Sequence, residues 1–278
     1  MLRRPTIEEE PSQLALWSGR LALFAIAVAV LSVIIVRSGI LEIGPAVATF
    51  GAALAFAAAA ILLALASFVA IWRNGSPGLG RALTGLLLGA ALLAYPAYLG
   101  VRASKLPQIN DITTDTANPP RFDVLARLRP RDRIDYPTFF AAAQKQGYPD
   151  VVPLELDVRA RTAFDVALKV VTKNRWLVVD ARPPSAARRE GVIEAVARTT
   201  IMGFRDDVVV RVTPQPAGSR IDVRSASRYG LSDLGTNARR IVALLSDIDD
   251  AAADVPAPVE EKPPPPEKKG PRRPSSRR

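Results

Sequence analysis

The polar side chains best placed to do chemistry fall within one stretch, Thr200 to Arg240. They are Arg205, Asp206, Arg224, Ser227, Arg228, Asp233 and Asn237, with the aromatic Phe204 beside them. Two chemistries suit such a set. The neighbours Asp206 and Asp207 could serve as general acid and base, or Ser225, Ser227 and Ser232 could act as nucleophiles. Neither holds up. Asp206 and Asp207 lie in a segment of alternating valines, and adjacent residues of a strand point to opposite faces. The chain has no His, so the serines would need Lys or Asp as base, and no spacing links them to Lys169 or Lys173. The eight residues are therefore read as binding candidates, and no catalytic residue is assigned.

Cofactor chemistry is bounded in the same way. With neither Cys nor His in 278 residues, disulfides, Cys/His zinc sites, haem axial His and His-based triads are excluded. No P-loop, dinucleotide fingerprint or metalloprotease motif occurs. Asp111 and Asp115, with Thr113 and Thr114, could offer oxygens to a hard cation, but no acidic partner stands at EF-hand spacing. No metal site and no cofactor are assigned.

These residues need elements to hold them. Val208, Val210 and Val212 alternate along one predicted strand. Pro214 to Gly218 turns the chain, and Ile221, Val223 and Ser225 share the inner face of the next strand. In such an antiparallel hairpin the start of the first strand faces the end of the second, so Asp206 and Arg228 should lie close together. The candidate site narrows to Phe204–Asp206 and Ser227–Asn237. Asp233 can cap a helix with the stripe Leu234, Ala238, Ile241, Leu245 and Ile248. Upstream, Val151–Asp157 reads as a strand and Thr162–Arg175 as a helix. Trp176–Asp180 and Gly191–Thr199 read as strands. The order β-α-β-β-β-β-α predicts a two-layer α+β domain with an antiparallel sheet and both helices on one face. The other face then carries Glu194, Arg198, Asp207, Arg211, Asp222, Arg224 and Arg228 as a charge ladder. That face is either solvated, or a docking surface for lipid head groups, an envelope polymer or the chain's own connector.

The connector begins at Leu106. Pro107, Pro119 and Pro120 forbid a helix up to Phe122, and an extended strap across the domain is expected. Asp135 to Gln146 reads as a short helix, capped by Asp135, with Pro137 in its first turn and Gly147 at its end. The expected organisation is a three-helix transmembrane region at 1–105, an ordered connector with a short helix at 106–150, the α+β domain at 151–250, and a disordered Pro/Lys/Arg-rich tail at 251–278.

The N-terminal region carries three apolar runs. Leu21–Val36 is sixteen residues between Arg20 and Arg37, short against the about 20 needed to cross a bilayer. Pro45–Trp72 and Ala82–Val101 follow. Gly85 and Gly89, and Gly51, Ala55 and Ala59, place small residues four apart for close helix packing, and Pro96 should kink the third span. No span has an ionisable residue in its interior, which argues for anchoring rather than transport. Arg3, Arg4, Arg20, Arg73 and Arg81 stand on one side of the spans, and Arg37, Arg102 and Lys105 on the other. Five against three favours a cytoplasmic N-terminus and a periplasmic soluble domain. Net charge is +10. It fits positive-inside topology, and it suits the lipid bilayer, an anionic lipid or an envelope component as partner. Nucleic-acid binding through the basic tail would need a cytoplasmic C-terminus and is set aside. Oligomeric state is left open.

Several motifs occur in a familiar order: INDITTDTANPPRF, QKQGYPDVVPL, RTAFDVALKVVTKNRW, IEAVARTTIMGFRDDVVVRV and IDVRSASRYGLSDLGTNARRI. Across roughly Pro107 to Asp250 the chain resembles the domain of unknown function family 1499, in a membrane-anchored form like that of alphaproteobacteria. Gly203, Phe204, Asp206, Asp207, Arg224, Ser225, Ser227, Arg228, Gly230, Asp233, Gly235, Asn237 and Arg240 match its pattern. The resemblance implies architecture and no activity. The expected role is an inner-membrane protein presenting a periplasmic binding or envelope-structural domain. The alternative is an enzyme acting on a cell-envelope substrate through Asp206, Arg228 and Asp233.

Overall fold

The computed structural model describes residues 12–39, 43–129 and 133–255. Arg3, Arg4 and the tail beyond Val255 lie outside the described residues. Three helices open the chain: α1 (Gln13–Ser38), α2 (Ile43–Asn74) and α3 (Leu79–Ala103). All three are long and apolar enough to cross a membrane. The first is 26 residues, longer than its apolar run. The Ser12 hydroxyl accepts from the Ala15 amide and starts the helix about two turns before Arg20. Gly39, in the left-handed conformation, ends it. Arg20 stays inside the helix with its guanidinium over the Trp17 ring.

The bundle is inside-out relative to a water-soluble one. Its buried residues are small: Ala22, Ala25 and Ala29 on α1, Ala57, Ala60 and Ala64 on α2, Gly85 and Gly89 on α3. Leu23, Phe24, Leu31, Leu62 and Val69 face outward. In lipid there is no gain in hiding Leu from tails that are equally apolar, so close backbone approach decides the interface. A Cβ on Gly85 would stand 1.7 Å from Ser18 Oγ, and one on Gly89 2.9 Å from the Ala57 carbonyl oxygen. The expected α2 stripe of Gly51, Ala55 and Ala59 is not the packing face. Gly51 meets nothing, and the buried row is Ala46, Ala53, Ala57, Ala60 and Ala64. A strict four-residue step drifts around a helix of 3.6 residues per turn, whereas alternating three and four holds one face.

The soluble part comprises β1 (Asp111–Thr113), a 3-10 helix (Leu125–Leu128), α4 (Phe140–Gly147), β2 (Leu154–Leu156), α5 (Ala160–Lys173), β3 (Leu177–Arg182), β4 (Gly191–Arg198), β5 (Arg205–Gln215), β6 (Gly218–Ser227) and α6 (Thr236–Ala253). From β2 onward the order is β-α-β-β-β-β-α. The sheet runs β1-β6-β5-β4-β3, every pairing is antiparallel, and β2 shares the outer edge of β6 with β1. Helices α5 and α6 cover one face. There Phe164, Val171, Ile193, Val208, Val210, Val212, Ile221, Val223, Ile241 and Ile248 form the main core.

Two elements start later than the sequence suggested. The strand expected from Val151 is only Leu154–Leu156, with Val152 exposed. The helix expected from Asp135 begins at Phe140, because Phe140 N–H donates to the Pro137 carbonyl and Asp135 lies outside the helix. The opposite face of the sheet carries a second, smaller apolar cluster of Phe122, Leu125, Val196, Val209 and Ala226. Phe122 and Leu125 come from the connector, which therefore lies across that face as a strap.

Candidate functional site

The sheet divides the candidate residues between its two faces. Asp206 and Asp207 occupy register positions opposite Ser227 and Ala226 on β6. Their side chains leave the strand in opposite directions, as alternation requires.

On the helix face, Asp206 Oδ2 accepts from Arg240 Nη2 of α6 at 2.5 Å. Arg240 Nη1 also donates to Ser225 Oγ and to Asn237 Oδ1. Ser225 Oγ donates to Asn237 Oδ1 at 2.7 Å, and Asn237 Nδ2 donates to Ser227 Oγ at 3.0 Å. Asn237 Nδ2 reaches the Asn110 carbonyl as well. Asp233 sits at the helix entrance. Its carboxylate accepts from the Gly235 and Asn237 amides, at 2.9 and 2.7 Å, and so caps α6 from outside its first turn. Burial pushes the Asp233 carboxyl up, against the pull of those two amides. The predicted stripe holds for Ala238, Ile241, Leu245 and Ile248. Leu234 departs from it, with a positive φ of 55° before the helix begins.

On the strap face most of the charge ladder is not solvated, although Arg198 at its far end is exposed. Glu194, Asp207, Asp222 and Arg224 are each at most 1% exposed. Each is held by a specific partner. Arg224 makes a two-pronged pair with Asp111, at 3.0 and 2.8 Å, and donates to the strap carbonyls of Pro120 and Ile134. Its guanidinium lies 4.7 Å from the Phe122 ring centroid. Glu194 accepts the amides of Asp123, Val124 and Leu125, the entrance of the 3-10 helix. Asp207 is clamped between Arg129 of the strap and Arg228. Asp222 pairs with Arg211, directly opposite it on β5, and with Arg220, and both arginines also reach Asp115. Gln144 of α4 closes the edge, bonding both the amide and the carbonyl of Thr113 and the Tyr136 hydroxyl. Burial, with the Asp111 charge behind it, raises Tyr136 to about 12.

The hairpin therefore brings the two candidate ends together: Arg228 N–H donates to the Arg205 carbonyl at 3.3 Å. It does not bring their charges together. Arg228 binds Asp207, whereas Asp206 binds Arg240 through the other side of the sheet. Asp206, Ser227, Asn237 and Asp233 are gathered at the α6 entrance, and Arg224 and Arg228 lie under the strap. Phe204 closes the β4–β5 turn, its amide donating to Thr199 Oγ1. Arg205 lies on the strap side of the sheet, beyond Asp207. The oxygens that might have served a cation, on Asp111 and Asp115, are engaged by Arg224, Arg211 and Arg220. Cavities of about 240 and 580 Å3 open at the strap edge and beside α6, and neither is lined by Asp206, Arg228 or Asp233.

Asn110, Arg129 and Gln144 complete these networks without being singled out in the sequence, and Asp111 and Glu194 take roles other than the cation ligand and open ladder member expected of them. Each acts on a partner 31 or more residues away, so local spacing carries no sign of it. A comparison with curated proteins finds no match. The family comparison does: residues 111–248, from the first residue of β1 into α6, match the family described as protein of unknown function (DUF1499).

Proposed function

We propose that the chain is a multi-pass inner-membrane protein that presents the domain matching DUF1499 on the periplasmic side as a binding or envelope-structural module. One observation carries the non-catalytic part of this reading. The buried carboxylates of the two networks are neutralised by a named arginine or by backbone amides, and cluster residues are spent on one another. A general acid or nucleophile needs a free, reachable atom poised toward a cleft. The enzyme reading through Asp206, Arg228 and Asp233 would need one constellation, and these side chains serve two faces of a sheet.

Periplasmic placement rests on the Lys/Arg bias of five to three across the spans. Absence of ionisable residues from the middle of the apolar runs supports an anchor over a conduit. Two experiments test the reading. Asp206→Ala, Arg228→Ala and Asp233→Ala should each lower the melting temperature of the full chain together with any cellular phenotype. A variant that keeps wild-type stability while losing a phenotype would mean a true site. For topology, reporters fused after Arg278 should give a periplasmic signal, and a cytoplasm-only signal overturns that placement.

A further inference from the structure

Three arginines converge where the soluble domain meets the end of α1. Arg198 and Arg205 are direct register partners on β4 and β5. Like charges facing each other across antiparallel strands are destabilising. Arg37, in the last turn of α1, joins them. Its guanidinium Nη1 donates to the carbonyls of Thr200 and Ile201 in the β4–β5 turn, at 2.8 and 3.1 Å, and Arg198 Nη1 donates back to the Arg37 carbonyl at 3.1 Å. Arg205 Nη2 is close enough that a Cβ on Gly39 would stand 2.9 Å from it. Gly203, at φ 72°, leaves the room through which the Arg37 stem passes, since a Cβ there would meet Arg37 Cγ at 2.9 Å.

Unlike the arginines under the strap, none of these three forms an ion pair with a carboxylate of the described residues. The nearest buried acid on their face of the sheet, Asp207, is already held by Arg129 and Arg228. The domain thus compensates its charges under the strap and leaves three cations uncompensated at the end of a span. Side chains in the last turn of such a helix lie at head-group level.

We propose that Arg37, Arg198 and Arg205 form a binding site for the phosphate of an anionic membrane phospholipid, which seats the β4–β5 turn on the bilayer surface. The proposal rests on the three helices spanning a membrane and is independent of which side the domain occupies. Guanidinium forks match phosphate oxygens in geometry as well as charge, and an anion there removes the Arg198–Arg205 repulsion.

The test uses the full chain in nanodiscs of phosphatidylcholine with increasing phosphatidylglycerol, read as melting temperature. Wild type should gain stability as phosphatidylglycerol rises. Arg205→Gln should melt higher than wild type in phosphatidylcholine alone, because the repulsion is relieved. It should also need about fivefold more phosphatidylglycerol for the same gain, the worth of one basic side chain at an anionic surface. Arg198→Gln should behave alike. Arg161→Gln, which alters an exposed arginine on α5, should leave the gain unchanged and serves as control. Indifference of the wild type to phosphatidylglycerol would overturn the proposal. So would an equal gain from inorganic phosphate in phosphatidylcholine discs, which would identify a free-anion site instead. A reporter result that reversed the topology would refute the periplasmic reading and leave this one standing.

Discussion

The two faces of one sheet are built by different rules, although the same strands supply both. Val208, Val210 and Val212 meet α5 and α6, and Asp207, Val209 and Arg211, one residue out of step, meet the strap. A helix satisfies its own backbone, so the surface beneath it can be purely apolar. A strap without regular structure brings unpaired amides and carbonyls into the interior, where each must find a partner. On this sheet charged side chains supply those partners: Glu194 takes three consecutive strap amides, and Arg224 and Arg129 serve strap and strand carbonyls. A charge ladder that resembles a ligand surface is here the glue for a piece of irregular chain.

This contrast can be broken most severely at Arg224. Replacing it by Ala leaves Asp111 buried and unpaired, and should cost about 3–5 kcal/mol in the melting of the full-length protein. The double change Asp111→Leu with Arg224→Met sharpens the point. An ordinary buried pair can be exchanged for apolar residues at little cost. Here the exchange should stay well below wild type, because the Pro120 and Ile134 carbonyls lose their donor; full recovery would mean that the arginine is only a counter-ion.

On the other face Ile241→Ala should cost about 2–5 kcal/mol through lost packing, and its effect should not vary with salt. Glu194→Gln comes next, at about 1–3 kcal/mol, since one amide acceptor must now serve where two carboxylate oxygens did. Its loss should appear first as local opening around Asp123–Leu125.

Much of the helix face was legible from period-2 and period-3.6 spacing alone. Val208, Ile221 and Ala238 each fall where the pattern places them, and alternation separates Asp206 from Asp207. Asp233 was legible as a cap because a cap acts on its own neighbours. The strap face was legible only in part: a strap from the connector was expected, and the connector stood among the possible coverings of the charged face, but which of them covers it was not legible, for two reasons. Periodicity says which residues share a face but not what covers it. A three-residue strand such as β1, paired with residues more than a hundred positions away, leaves no local trace. The first span was under-read because Arg20 cuts the apolar run short, although the helix passes through it.

The smallest effect lies in the tyrosines. Tyr136, under the strap, and Tyr148 are both raised to about 12 by burial. Their neutral forms favour the folded state, so this contribution is intact below the ordinary value of 10 and is lost as pH rises through about 12. Ultraviolet titration of the folded chain should show Tyr136 and Tyr148 ionising late, and Tyr136→Phe should remove one late component.

Hydrogen–deuterium exchange of the full-length chain over the strap addresses the central claim most directly. If the strap is an integral layer of the domain, the amides of Asp123, Val124 and Leu125, held by Glu194, should be protected to a degree comparable with those of β5, and Glu194→Gln should release them. Exchange of those three amides at the rate of unstructured chain, with β4 to β6 still protected, would contradict the account and return the charged face to solvent.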